Sequence, residues 1–421
     1  MDLSTAWKPL LKIKATLCMV VLCGCVASED ETTLRFWAFG REGEAVTALV
    51  REFEGLHPGF RVDVQQIPWS AGHEKLLTAF AGEALPDVFQ IGNTWIPEFA
   101  ALGALEPVPP AFKRDQIDAA VRASSLDGVL YAVPWYVDTR VIFYRKDLLA
   151  EAGWPEPPKD WGTWSSAMKA IRIRSDGRRY GMTAPLNDWT LLVILALQAG
   201  NTVLKEDARF SDLVSDSFRR AFASYLTLFR EGLAPVVGEA RSVNLYQDFA
   251  SGNVCMFLSG PWSIGELRER LPSNLQARWA TSVLPSDDGK GFGSSIGGGA
   301  GLALSRNSKL KPEALQLIEF LVAPERQLAF YQITGDLPSL RSAWLSPTLR
   351  SDPNLQVFQR QLENLADLPK IPEWERIAVK LAGFAERAIR SQISEEEALI
   401  QMDREVNVIL EKRRWLLEPR R

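Results

Sequence analysis

From residue 34 onward the chain alternates between two hydrophobic periods. Leu34-Arg35-Phe36-Trp37-Ala38 reads as a strand, and Val46, Leu49, Val50 and Phe53 then recur at helical spacing. Residues 61–65 alternate again, 75–84 read as a helix, and 86–91 as a buried strand. This βαβαβ order predicts a mostly parallel sheet. Open α/β sheets bind ligands beyond the carboxyl ends of their strands, which points to residues 37–44, Pro68-Trp69 and Gly92-Asn93-Thr94-Trp95.

After Arg140 a second region begins with the strand Val141-Ile142-Phe143-Tyr144. Asp160 is an N-cap candidate for a helix whose Trp161, Trp164, Met168 and Ile171 share one face, and that stripe reads as core. Phe218, Phe222, Tyr225 and Phe229 repeat at the same spacing and read as packing too. Residues 248–262 give a helix end, a glycine turn, an apolar strand and a break from which Trp262 emerges. The glycine-rich run 289–301 has two compatible readings: a flexible crossover, or backbone at Gly298 and Gly299 that approaches a ligand closely. Helices follow over 312–321 and 324–334, and the end of the chain from 374 to 414 is mostly helical.

At 421 residues the chain exceeds what one hydrophobic core usually organises, roughly 250–300 residues, so two lobes are expected. Fourteen tryptophans are more than packing requires and suggest that some serve recognition. Lys8, Lys12 and Lys14 precede a short apolar run, 15–22, far below the ~20 residues that span a bilayer, so residues 1–24 read as an export signal. Leu22-Cys23-Gly24-Cys25 resembles the bacterial lipobox, which would make Cys25 the lipidated first residue and 25–33 a polar tether. An ordinary secretory signal cleaved nearby is the alternative. The signal carries three lysines and one aspartate, so the mature chain would stand at −6 rather than −4, with no general attraction to nucleic acid or to anionic lipid. Beyond the lipid site only His57, His73 and Cys255 remain as His or Cys, which argues against an internal disulfide and a zinc site. Phosphate-loop, dinucleotide and nucleophile-elbow strings are absent, and no cofactor is expected.

The stretch Tyr131-Ala132-Val133-Pro134-Trp135-Tyr136-Val137-Asp138-Thr139-Arg140 sets a carboxylate and a guanidinium among aromatics. A polyhydroxylated ring has apolar C–H faces that suit indole and paired hydroxyls that suit bidentate acceptors and forked donors. Asp138 and Arg140 supply those two groups, or else form a structural ion pair, since residues two apart on a strand share a face. Trp37 and Trp135 either face a ligand or plug a lobe core. His73, followed by Glu74, favours capping or packing.

The ordered set 85–89, 96–99 with 103–107, 131–146, 249–262 and Gly335-Asp336-Leu337-Pro338 resembles the carbohydrate-binding group of ABC-transporter extracellular solute-binding proteins, family 1, the group of the maltose-binding protein, over nearly the whole mature chain. The resemblance implies an α/β fold of the two-lobed periplasmic-binding-protein type (type II), each lobe a mostly parallel sheet flanked by helices, with a ligand cleft between. The N-terminal lobe would comprise 34–140 and 290–338 and the C-terminal lobe 141–289 and 339–421, with crossings near 140–143, 284–293 and 335–339. It further implies hinge closure, docking on ABC permease subunits, a monomer held to the membrane by its lipid alone, and no catalysis. Carried over position by position, Asp138 falls where a carboxylate grips sugar hydroxyls, Trp189 and Trp262 where aromatics pack on sugar faces, and Asn93 and Thr94 in a loop of polar contacts. Trp95 departs from the maltose-binding pattern, while Arg41, Trp69, His73 and Trp374 lie in segments that border the cleft. Two rivals remain at this stage: a glycoside hydrolase, which needs two suitably spaced carboxyls, and a binding protein that presents its ligand to a sensor or receptor.

Overall fold

Two helix-covered sheets organise the chain in a computed structural model that describes residues 32–236 and 245–418. The expected signal segment and Cys25 lie outside the described residues. The large sheet runs, edge to edge, Leu337–Pro338, Val133–Thr139, Ser295–Ser305, Val88–Gly92, Thr32–Phe39, Phe60–Ile67, and the strands Leu105–Glu106 and Leu365–Ala366 also pair with Ser295–Ser305. The small sheet runs Trp279–Ser282, Val141–Arg145, Val254–Ser259, Tyr180–Thr183.

The two lobes are as expected, but the sheets are mixed. Thr32–Phe39 is parallel to both its neighbours and Val254–Ser259 is parallel to Tyr180–Thr183, whereas the remaining long pairings are antiparallel. The opening βαβαβ unit accounts for the parallel part. Ser295–Ser305 enters the large sheet from the small one and runs opposite to Val88–Gly92, and Val141–Arg145 enters the small sheet from the large one and runs opposite to both its neighbours. Thr139 ends a strand of the large sheet and Val141 begins one of the small sheet, so the first crossing is Arg140 itself. A second lies within 283–294. The first strand begins at Thr32, inside the stretch read as tether, and Leu365–Ala366 pairs with the large sheet although the resemblance put 339–421 in the other lobe. The glycine run is no flexible crossover from Ser295 on: it is an 11-residue strand in the middle of the large sheet.

Packing follows the helical periods. Val46, Leu49, Val50 and Phe53 on the helix Gly40–Leu56 bury against Leu34, Phe36 and Leu302. Asp160 caps the helix Trp161–Arg174 by accepting from the Thr163 amide at 2.8 Å, and Trp164, Met168 and Ile171 enter the other lobe's core. Trp161 is only half buried and donates to Gln198 at 2.7 Å. Phe218, Phe222, Tyr225 and Phe229 join that core, as do the helices Trp374–Ile389 and Glu395–Ile409. A third apolar cluster, with Val137 and Leu337 of one sheet and Val141, Phe143 and Phe257 of the other, forms a seam behind the crossing. Cys255 is free and buried, and burial pushes its thiol up to about 12.

Candidate functional site

Strand ends and helix starts of both lobes converge on one cavity of about 440 Å³. The helix Gly40–Leu56 brings Arg41 and Glu42, the helix Trp69–Ala81 opens with Trp69, and the turn Asn93–Trp95 follows directly on the strand Val88–Gly92. Every position of the strand Val133–Thr139 is buried, and Tyr136 and Asp138, two apart, share the face that lines the cavity. Opposite stand Trp189, just before the helix Thr190–Gln198, and Trp262 and Glu266, one turn apart on the helix Trp262–Arg270.

Gly298 pairs with Asp138 across the sheet, and a Cβ at Gly298 would strike the Asp138 carboxylate. At Gly299 the backbone has φ +108, and a Cβ would strike the Tyr136 carbonyl. These glycines let Asp138 lie across the neighbouring strand. The Asn93 amide donates to the Gly298 carbonyl at 3.1 Å, which leaves its buried Oδ1 without a partner.

The charged groups sort into three sets. Arg140 donates to Asp138 at 2.6 Å, and its guanidinium lies 4.8 Å from the Trp262 ring centroid, so it ties a carboxylate of one lobe to an indole of the other. At the mouth, Arg41 reaches across to Glu266 at 3.1 Å and Glu269 at 3.6 Å. Deeper, Glu42 accepts from Trp69 Nε1 and from the Tyr136 hydroxyl, both at 2.9 Å, with Gln90 Nε2 at 3.5 Å. Burial holds Glu42 above the usual carboxylate value, although a bond from its own backbone amide and then those three side-chain bonds pull it part of the way back. Burial and then the Glu42 charge hold the Tyr136 phenol well above its usual value. Asp336, 4% exposed, is held well above the carboxylate range by burial, then by the Glu42 charge.

Behind Trp95, His73 meets Glu98 at 2.7 Å and lies edge-on to Trp95 and Phe99. Burial pulls its imidazole down, but the Glu98 hydrogen bond and charge, with Glu375, leave it raised.

Residues 39–328 match the family of bacterial extracellular solute-binding proteins. The chain belongs to that family. This solute-binding protein is similar to the sugar-binding protein MalE from the phytopathogen Xanthomonas citri: 41% identity and a TM-score of 0.84 over 93% of this chain and 100% of that one. The GacH receptor of Streptomyces glaucescens, solved unliganded and with acarbose, aligns with a TM-score of 0.81 over 90% of this chain and 98% of that one; at 21% identity the likeness is one of fold. The diacetylchitobiose binding protein DasA of Streptomyces coelicolor is 23% identical over 378 residues, 85% of this chain and 88% of that protein.

Of the residues singled out in its sequence, Arg41, Trp69, Asn93, Thr94, Trp95, Asp138, Arg140, Trp189, Trp262, Gly298 and Gly299 line the cavity of this solute-binding protein. Three tryptophans do not. Trp135 is fully buried against Phe330, at 4.3 Å between centroids, at a register irregularity where Ser295–Ser305 pairs with Pro134 and Tyr136 but skips Trp135, so its indole packs into the lobe core beside Tyr136 rather than into the cavity. Trp374, 1% exposed, sits in the C-terminal lobe's core, edge-on to Trp189 at 5.3 Å, and so props the cleft residue from behind. Trp37 is turned toward the helix Trp69–Ala81, with Lys75 Nζ 5.1 Å over its ring. Asp138 and Arg140 are both an ion pair and cleft lining, so the two readings coincide.

The sequence reading passed over Glu42, Tyr136, Thr190, Glu266, Thr334, Asp336 and Leu368, all of which line the cavity. Tyr136 carried a signal, as the aromatic two residues before Asp138 on a strand. Asp336 carried a weaker one, as the acid after the Gly335 helix stop; no local pattern marked the others.

Among the described residues no group of three or more His, Cys, Asp or Glu side chains is placed to hold a metal ion. No described helix is long and apolar enough to cross a membrane.

Proposed function

We propose that this protein captures an uncharged mono- or oligosaccharide outside the cytoplasm, closes its lobes on it and delivers it unaltered to the permease of an ABC importer. The observation that carries this is the set of indoles from both lobes, Trp69 and Trp95 on one side and Trp189 and Trp262 on the other, around one cavity rimmed by hydrogen-bonding groups. Flat indole faces match sugar C–H faces, and Asp138, Arg140, Asn93 and Thr94 line the same cavity with groups that can bond hydroxyls. The volume of about 440 Å³ falls in the range of small-molecule sites, about 300–1,000 Å³. The named sugar- and diacetylchitobiose-binding relatives support the same ligand class. Contacts made by both lobes at once tip an open–closed balance of a few kcal/mol toward closure. Selectivity then follows from hydroxyl geometry, since a polar group left unpaired in the closed cleft costs about 1–3 kcal/mol.

No bond is broken in this reading. Glu42 and Asp336, the raised carboxyls in the cavity lining, belong to one lobe and crowd the same tyrosine, whereas a glycoside hydrolase sets its carboxyls on either side of the scissile bond. A monomer, lipid-anchored through Cys25, completes the proposal; Cys25→Ser should release it from membranes, and unchanged fractionation removes the anchor.

The test is a thermal-shift screen of mono- and oligosaccharides, with amino acids, polyamines and phosphate esters as controls. A ligand that binds only the native form raises Tm by mass action, so sugars should stabilise and controls should not. Stabilisation by a control class alone refutes the reading, and shortened oligosaccharides after prolonged incubation would make the protein a hydrolase.

A further inference from the structure

Sheet register gathers the acids of the cleft floor. Leu337 pairs with Val137 and Pro338 with Tyr136 in antiparallel order, so Asp336 continues that ladder to the level of Asp138, flanked on the other side by Gly298. Gly335, at φ +83, ends the helix Pro324–Thr334 and turns the chain so that Asp336 enters the cavity wall. Like charges directly opposite on an antiparallel pair repel, and here Glu42 adds a third carboxyl over Tyr136.

Neighbouring cations do not relieve the crowding. Asp138 is satisfied by Arg140, and Arg41 is engaged by Glu266 and Glu269. Glu42 holds three donors, Trp69 Nε1, Tyr136 OH and Gln90 Nε2. The groups acting on Asp336 are Arg41 and Glu42 from the helix Gly40–Leu56, Asp138 from the strand Val133–Thr139, and the Thr334 hydroxyl from its own helix. One proton settles the cluster, and it belongs on the carboxyl with the fewest donors.

The cleft is also rich in acceptors. The Arg41 and Arg140 guanidiniums are ion-paired, and Trp69 Nε1, the Tyr136 hydroxyl and the Asn93 amide are already donating to protein groups. Sugar hydroxyls donate readily to carboxylates, but a ring or glycosidic oxygen carries no hydrogen and needs a donor.

We propose that Asp336 is a neutral carboxylic acid at pH 7 whose O–H donates to a ring or glycosidic oxygen of the bound sugar, making it the residue that positions that atom. The donor role rests on the sugar-binding reading; the proton does not. Because Asp336 is raised, the folded state favours its protonated form, and that contribution is full below the ordinary carboxyl range and lost as pH rises through the folded value.

Infrared difference spectra of the ligand-free protein against Asp336→Asn test the proton. A protonated-carboxyl C=O band is expected at pH 7, absent from Asp336→Asn, and titrating at lower pH in Glu42→Gln because a negative neighbour is gone. No such band, or one that Glu42→Gln abolishes at every pH rather than shifting, overturns the assignment. Calorimetry with maltose and with each sugar stabilised in the screen tests the donor. Affinity should fall about tenfold per pH unit above the midpoint of the band, with uptake of one proton on binding. Asp336→Asn, which keeps an N–H donor, should bind without that pH dependence, while Asp336→Ala binds weakly at every pH. Affinity that stays flat while the band titrates overturns the donor role; if no sugar binds, the sugar-binding reading fails while the band still decides the proton.

Discussion

Replacing Trp262 by alanine removes one wall of the cleft and the surface on which Arg140 lies. A fully buried indole covers about 150–250 Å²; a sugar resting on one face hides roughly a third of that, about 60–80 Å², worth about 1.5–2 kcal/mol at about 25 cal/mol/Å². Arg140, 4.8 Å from the ring centroid, also loses a cation–π contact of about 0.5–1 kcal/mol, but that contact exists without ligand and so counts against stability rather than affinity. The stacking loss, about 1.5–2 kcal/mol, predicts a fall of about 10- to 30-fold in sugar affinity, read by titration calorimetry with the tightest binder of the screen. Trp262 is only half buried in the ligand-free protein, so Tm of the free variant should fall by no more than that lost contact, and Trp262→Phe should recover most of the affinity loss. Affinity within about threefold of the parent, or a Tm loss that outweighs the binding loss, refutes the platform role.

Asp138→Asn keeps the shape but breaks the pair with Arg140, and should weaken sugar binding about tenfold or more with a smaller change in stability; equal losses in both would make the pair purely structural. Arg41→Ala cuts the bridge across the mouth, a partly exposed pair worth about 0.2–1 kcal/mol, so affinity should fall no more than about fivefold while small-angle scattering reports a larger radius for the free protein; an unchanged radius counts against a latch. His73, raised by Glu98, stabilises the fold below its ordinary value near 6.5 and loses that contribution as pH rises through the raised value. The Tm difference between the parent and His73→Gln should therefore shrink from about pH 6 to pH 8, and a difference constant over that range refutes the pairing.

The elements were largely legible in the sequence because their periods are clean: Val46, Leu49, Val50 and Phe53 give a helix, and Asp160 marks the start of another by capping Thr163. Depth was harder to read. Val133–Thr139 is buried at every position, so alternation could not say which face looks into the cleft; the sequence offered Trp135 and passed over Tyr136, and the register with Ser295–Ser305, which skips Trp135, is visible only in the fold. The glycine run gave no strand signal, since its residues lack the side chains that make one; their role is room for Asp138 and the Tyr136 carbonyl. Asp336 and Glu42 lie nearly 300 positions apart, and only tertiary structure brings both to Tyr136.

Between the lobes the crossing segments run side by side and are stitched together. Arg140 exchanges two bonds with the Ser295 hydroxyl at 3.2 and 2.9 Å, Thr139 donates to Ile296 at 2.9 Å, and Gln361 holds both Leu284 and Gly293. A laminated strip of this kind is built like a leaf spring: bending about one axis can spare the ties, whereas shear or torsion would break several at once. Under the proposed closure, a bend that keeps these ties carries the indole faces of the two lobes along a single arc and into the same alignment each time.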